Sequence, residues 1–423
     1  MTLIYRRCVF CFFVAAMASS AKGHAADLPN VVIIYADDMG YGDLAIQNPD
    51  SSIPTPHLDR LAREGVRFTD AHSSSGICTP SRYSLLTGRY HWRKFHQIVR
   101  AWEPSVFDAD RLTLPEMLRD HGYRTACIGK WHLGFDWDAI RIPGATMVGE
   151  GKKRSWTSDA FDWKRSIPGG PLDHGFDEYF GDDVPNFPPY AWIENDRVVQ
   201  PPTVPYRADP VPIEGAAEGR PGPMVAGWKQ DAVMPTLTRR AVEWIRQQKE
   251  ENGPFFLYWS WTSPHAPIVP TDSWKGTSNA GAYGDFMAQS DAHAGELLEA
   301  LDEHGFRENT IVIFSADNGP ESYAFERIRK HGHVSSGPLR GVKRDIWEGG
   351  HRVPFVVRWP SVLKPGLVAD GLISQTDIMA TLAGIIGAEL PEGTAEDSHD
   401  QLGFWKGGSS ARKSMVHNTY EDD

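Results

Sequence analysis

The sequence predicts an α/β fold: a large mixed, mainly parallel sheet with helices on both faces. Three observations predict it. Apolar runs recur at 31–35 (Val-Val-Ile-Ile-Tyr), 255–261 (Phe-Phe-Leu-Tyr-Trp-Ser-Trp) and 310–314 (Thr-Ile-Val-Ile-Phe). They are nearly continuous rather than alternating, as in strands buried on both faces. Amphipathic helical segments lie between them, the order expected of an α/β sheet. Each run also ends in polar residues, and in open α/β sheets ligands sit at the carboxyl ends of the strands.

The first of these ends is Ala36-Asp37-Asp38. Two adjacent carboxylates repel each other unless a cation or hydrogen-bond donors hold them. Pro56 to Gly65 follows as a short amphipathic helix with a glycine stop, and Val66 to Ala71 alternates like a strand. Ser81 to Leu86 reads as a short helix, and Leu112 to His121 as another, closed by Gly122. The strand Tyr123 to Ile128 then runs into Gly129-Lys130-Trp131-His132. Lys130 and His132 are two apart, so an extended strand end would point both to one face. From Asp182 to Gly227 the chain is Pro-rich and without periodicity. A loop of that length usually forms a lid or a binding wall, which makes Asp183, Asn186, Tyr190 and Trp192 substrate-side candidates.

Thr236 to Ile245 is helical, and the strand at 255–261 ends in Thr262-Ser263-Pro264-His265-Ala266-Pro267, a histidine braced by two prolines. A long helix from about Tyr283 to His304 leads to the strand at 310–314, which ends in Asp317-Asn318-Gly319. Val353 to Trp359 is a further strand and Thr376 to Gly387 a helix. Met415 to Tyr420 reads as the opening of another strand.

The chain has 423 residues and a net charge of −12, which argues against nucleic acid or an anionic membrane surface as the main partner. An anionic substrate then needs a local positive site. Fifteen Trp and thirteen Tyr supply aromatic side chains of the kind a carbohydrate cleft uses. Arg6-Arg7, the apolar run Cys8 to Met17 and the small residues Gly23 to Ala26 have the layout of an export signal over 1–25, leaving 26–423 as the catalytic domain. The apolar run is too short to span a bilayer, so a periplasmic or secreted protein without a stable membrane span is expected. Cys8 and Cys11 would leave with the signal. The remaining pair, Cys78 and Cys127, suggests one disulfide in an exported protein.

The stretch Ser75-Gly76-Ile77-Cys78-Thr79-Pro80-Ser81-Arg82, followed by Leu86-Thr87-Gly88-Arg89, places a cysteine just before a helix start. Free N–H groups and the helix dipole favour an anion there. Arg82 lies about one helical turn further on and can reach back to the same spot. The whole string resembles the signature of the formylglycine-dependent sulfatases, within the alkaline phosphatase-like superfamily. Gly129-Lys130-Trp131-His132, the His174-Gly175-Phe176 segment and Lys343 five residues before Glu348-Gly349-Gly350 resemble further family motifs. The resemblance spans about residues 29 to 387.

The resemblance implies an alkaline phosphatase-like α/β/α sandwich that hydrolyses sulfate esters. It implies that Cys78 is converted to formylglycine by a formylglycine-generating enzyme or a radical maturase, which consumes the thiol, denies the disulfide and leaves Cys127 as a buried thiol. It implies one calcium ion held by Asp37, Asp38, Asp317 and Asn318 and completed by residue 78. Arg82, Lys130, His132, His265 and Lys343 are its implied catalytic side chains, with His265 as proton donor to the leaving alcohol. Replacement of Arg82 by alanine is expected to abolish sulfate release and leave the fold intact. A small C-terminal antiparallel subdomain common in the family is only begun at about residue 412. A sulfated saccharide is the expected substrate. The rival functions are hydrolysis of phosphonate monoesters or phosphodiesters in the same superfamily, and non-catalytic binding of sulfated glycans if Cys78 stays unconverted. A two-zinc phosphatase would need several histidine ligands.

Overall fold

Along residues 31–36 the side chains alternate between two cores. Val31, Ile33 and Tyr35 enter one, and Val32, Ile34 and Ala36 the other, all fully buried. A strand apolar on both faces can only sit between two layers. The computed structural model describes residues 28–151, 154–206, 214, 218–251 and 253–418. The segment read as an export signal lies outside them.

The strands are β1 (Asn30–Asp37), β2 (Val66–Phe68), β3 (Ala71–His72), β4 (Arg124–Lys130), β5 (Glu178–Asp183), β6 (Ile193–Glu194), β7 (Arg197–Val198), β8 (Val204–Pro205), β9 (Pro223–Met224), β10 (Phe255–Pro264), β11 (Thr310–Ala316), β12 (Phe355–Arg358), β13 (Leu367–Ala369) and β14 (Ile373–Ser374). Ten of them form one sheet in the order β13-β2-β12-β11-β1-β10-β4-β5-β6-β7. From β11 to β5 every neighbour is parallel, whereas β12 and the β6–β7 hairpin run against their neighbours. The expected mixed, mainly parallel sheet is therefore present.

The first core receives α2 (Cys78–Thr87), α3 (Leu114–Asp120) and α8 (Asp377–Ile386), through Leu85, Leu86, Leu114, Met117, Ile378 and Leu382. The second receives α1 (Pro56–Arg63), α4 (Val233–Gln247) and α5 (Gly281–Glu303), through Leu58, Leu61, Leu237, Ala241, Leu297 and Leu301. Helices thus cover both faces. Short helices α6 (Ala324–His331), α7 (Glu348–His351) and α9 (Leu402–Trp405) complete the α-helices among the described residues.

Three local expectations differ from the structure. The helix after the cysteine starts at Cys78, not Ser81, because Pro80 occupies the first turn, where a missing N–H costs nothing. The strand read over 66–71 breaks after Phe68, and Ala71–His72 pairs with β14 instead. Residues 415–418 form no strand. The tail before them is pinned by Arg412, whose Nη2 and Nε donate to the two Asp377 oxygens at 2.6 and 2.9 Å, and whose Nη1 donates to the Tyr90 hydroxyl at 2.9 Å. Tyr420 lies outside the described residues.

Candidate active site

Strands β11, β1, β10 and β4 are adjacent and parallel, so their carboxyl ends open on one edge. Asp37 and Lys130 are the last residues of β1 and β4, His265 follows β10, and Asp317-Asn318 follow β11. Asp38, His132 and Asp183 leave their strands with φ of 63°, 55° and 59°. Asp and His tolerate this left-handed region better than most residues, but each such position still costs on the order of 1–3 kcal/mol. That cost is met by packing around the strand ends. Gly129 shows how tight the packing is: a Cβ there would lie 1.7 Å from the Ser260 carbonyl oxygen.

The polar side chains at this edge are buried and paired. Lys130 Nζ donates to Asp37 Oδ2 at 2.6 Å, and Lys343 Nζ donates to Asp38 Oδ1 at 2.6 Å. Asn318 Nδ2 also donates to Asp38 Oδ1, at 2.8 Å, and the Asp38 backbone N–H donates to Asp317 Oδ1 at 3.0 Å. Arg82 Nη2 and Nε donate to Asp317 Oδ2 at 2.8 and 3.2 Å, while Nη1 donates to Ser260 Oγ. Burial pushes the Asp38 carboxyl up, but Lys343, His265 and Lys130 outweigh it and hold it well below the usual carboxylate range. Asp317 is pushed up, by burial first and then by the charge of Asp37.

Cys78 opens α2 at the centre of this set and is fully buried. Burial pushes its thiol up to about 12, against the pull of Lys130 and Lys343. One ligand atom each from Asp37, Asp38, Cys78 and His265 lie within 4.8 Å of one another. His265 Nε2 is 3.7 Å from Asp38 Oδ2, and its Nδ1 faces the Ala266 carbonyl oxygen. Burial pushes its pKa down to about 4, with Asp38 opposing. His132 Nε2 donates to the Val99 carbonyl at 2.9 Å, and its Nδ1 is buried without a partner. Burial, then Lys130, keeps this ring neutral.

The metal-ligand and catalytic residues implied by the resemblance therefore meet at one edge, with differences in detail. The shared-face argument for Lys130 and His132 assumed an extended strand, but β4 ends at Lys130 and His132 turns away from β geometry. Both still border the site, since Lys130 acts on Cys78 and the His132 ring feels Lys130, Arg82 and His265. Cys78 and Cys127 are both free and buried, so the disulfide suggested by their number is not formed. The loop candidates pack rather than line a surface. The Asp183 carboxylate accepts from the His132 N–H, the Tyr190 hydroxyl donates to the Arg220 carbonyl, and Trp192 stacks on Phe180. Asn186 is buried as well.

Sequence reasoning missed Glu321, Ser260 and Tyr258. Glu321 lies 3.9 Å from Lys343 Nζ and accepts two hydrogen bonds from Arg344 at 2.7 and 2.8 Å. Its only signal was position, three residues past Asn318. Ser260 and Tyr258 lie inside the apolar run of β10, where nothing marks them as partners of Arg82.

The donor set fits a hard cation. Asp37 Oδ1, 3.6 Å from Arg82 Nη2, and Asn318 Oδ1 are buried and lack any hydrogen-bond partner. Leaving such an atom unanswered costs about 1–3 kcal/mol, and a cluster of carboxylate and amide oxygens is what a cation such as calcium takes.

Strand-end carboxylates interleaved with buried cations, on a mainly parallel sheet with helices on both faces, make a site that can hold a cation and an anionic group together. The family model described as Sulfatase matches residues 29–388. The chain is similar to an N-acetylgalactosamine-6-O-sulfatase of Bacteroides thetaiotaomicron, at 35% identity over 90% of this chain and 77% of that one. It is similar to arylsulfatase A of Bos taurus, at 34% identity over 90% and 68%. A solved structure described under the metabolism of multiple glycosaminoglycans by Bacteroides thetaiotaomicron superposes with a TM-score of 0.78 at 31% identity, covering 93% of this chain and 85% of that one. The chain belongs to the sulfatase family, and as such it is a hydrolase of sulfate esters.

Proposed function

We propose that this sulfatase removes sulfate from a sulfated saccharide, with N-acetylgalactosamine 6-sulfate as the unit it acts on best. The observation that carries the chemistry is the meeting of Asp37, Asp38, Asp317 and Asn318 with Lys130 and Lys343 around Cys78. The sugar rests on the relatives, several of which are named N-acetylgalactosamine-6-sulfatases.

In this proposal Asp37, Asp38, Asp317 and Asn318 hold one calcium ion, completed by residue 78, and the unanswered oxygens of Asp37 and Asn318 support that assignment. Calcium supplies charge neutralisation for sulfate oxygens. Conversion of Cys78 to formylglycine by a maturase would supply a hydrated aldehyde: one hydroxyl would attack sulfur as the S–O bond to the leaving alcohol breaks, and deprotonation of the other would re-form the aldehyde as its C–O bond to sulfate breaks. Lys130 and Lys343 hold the sulfate oxygens, as the cations acting most strongly on residue 78. Arg82 fixes Asp317 and the start of α2. His265 gives a proton to the leaving alcohol. Burial pushes the His265 pKa down with Asp38 opposing, and an arriving sulfate ester adds the negative charge that favours the imidazolium. His132 orients residue 78 through Thr79, whose hydroxyl donates to the His132 carbonyl at 2.9 Å. Export to the periplasm or beyond fits such a substrate, and no helix among the described residues is long and apolar enough to cross a membrane.

The test uses protein produced with a maturase and offered N-acetylgalactosamine 6-sulfate, its 4-sulfate isomer, an aryl sulfate and an aryl phosphonate. Sulfate release from the 6-sulfate is expected to exceed that from the 4-sulfate at least roughly tenfold, the discrimination a single well-placed contact gives. Chelation is expected to stop release and calcium to restore it. Faster turnover of the phosphonate than of any sulfate would move the protein to the phosphonate hydrolase function, and binding without release to a glycan-binding role.

A further inference from the structure

Three histidines outside the proposed active site meet in one cluster. His72 lies in β3, immediately before the Ser73–Ile77 loop that leads to Cys78, and His351 closes α7 beyond Lys343. Backbone pairing sets them side by side: the Val353 N–H donates to the Ala71 carbonyl at 3.0 Å and the Ser73 N–H to the His351 carbonyl at 2.9 Å. The third, His417, comes from the C-terminal tail, and its ring stacks on His351 with centroids 3.6 Å apart.

The hydrogen-bond inventory of this cluster does not close. His351 Nε2 faces the Ile346 carbonyl oxygen at 3.0 Å, so it must carry hydrogen. His72 Nε2 faces Asp70 Oδ1 at 3.0 Å, a carboxylate braced by Arg352 at 3.4 Å, so it must carry hydrogen too. A neutral imidazole has one N–H. The two Nδ1 atoms, 2.9 Å apart, are then left as lone pairs aimed at each other. Something positive must lie between them, either an added proton or a metal ion. A proton would satisfy that pair and leave His417 unanswered, although both of its ring nitrogens are buried without a partner.

We propose that His72, His351 and His417 bind a late first-row divalent metal ion, zinc by choice, which clamps the C-terminal tail to the loops carrying Cys78 and Lys343. Their ligand atoms already lie within 4.8 Å of one another. Zinc–nitrogen bonds of about 2.0–2.1 Å in a tetrahedron place ligand nitrogens about 3.3 Å apart, so binding opens the Nδ1 pair from 2.9 Å and turns the His417 ring out of its stack on His351. Nitrogen-only ligation suits zinc, copper or nickel and not calcium, which separates this site from the carboxylate site. The outer contacts are those of metal-bound histidines, whose second N–H goes to a carboxylate or a backbone carbonyl. Three histidines leave a fourth position for water, and binding expels any proton shared by the Nδ1 pair.

The experiment takes the full chain, stripped of transition metals and held in excess calcium so that the carboxylate site is filled. Zinc is titrated by calorimetry, and cobalt(II) by visible absorption as a reporter of tetrahedral nitrogen ligation. One zinc per chain and a tetrahedral cobalt spectrum are expected. His417→Ala should weaken zinc binding about 100-fold or more, and Asp70→Asn about tenfold through the outer contact, with near-UV circular dichroism unchanged. His417 lies in the half-buried tail, so its replacement leaves the core whole. No zinc uptake by the wild type at micromolar metal, or equal affinity in His417→Ala, overturns the proposal in favour of a shared proton.

Discussion

Replacing Cys78 with alanine is expected to lower sulfate release by roughly 10⁴- to 10⁶-fold, the scale seen when a covalent nucleophile is removed. The fold should survive. Cys78 is buried at the first turn of α2, and the change removes one sulfur atom, a loss of about 1 kcal/mol. The helix itself is held elsewhere: Ser81 Oγ donates to the Ser75 carbonyl at 2.8 Å, and Leu85 and Leu86 lie in the core. Ion chromatography of released sulfate, beside a thermal melt, separates the two effects. Activity within tenfold of the wild type would place the nucleophile on another side chain.

Arg82→Ala is expected to be the most destabilising single change at the site, at about 3–5 kcal/mol, because it leaves a buried carboxylate without its partner. The guanidinium is fully buried and bonds Asp317 through two nitrogens and Ser260 through the third. Motif reasoning predicted loss of activity with the fold intact, and burial changes the second half of that expectation. The thermal midpoint should fall by roughly 4–6 °C for a chain of this length, with activity lost as well. The double change Arg82→Met with Asp317→Asn should regain part of the stability and none of the activity, since it removes both charges together. A melt of Arg82→Ala matching the wild type would show that Asp317 has another partner.

The chemistry at the strand ends was legible because it was written beside its own structural signal. Asp37-Asp38 and Asp317-Asn318 each follow an apolar run with no other reading than a buried strand, so their place at a carboxyl edge followed from pattern alone. The adjacency of β11, β1, β10 and β4 was not legible, since strand order depends on crossovers and not on local composition. Nor was the start of α2. Pro80 reads as a helix breaker until its position in the first turn is known. Residues that act through others stayed hidden for a related reason. Ser260 sits in a run of aromatics, and its hydroxyl meets Arg82 only because α2 brings that guanidinium against β10. The tail shows the same limit. Val416 and His417 suggested a strand, but the chain folds back and places His417 on His351, a contact across 66 positions that no local pattern encodes.

The most direct test of the account is the mass of the peptide containing Cys78, from protein made in a host with a maturase. The account predicts formylglycine, seen as replacement of the CH2–SH side chain by CHO and trapped by a hydrazide. An unmodified thiol in protein that still releases sulfate would contradict it, because hydrolysis would then proceed without the nucleophile on which the proposed chemistry depends.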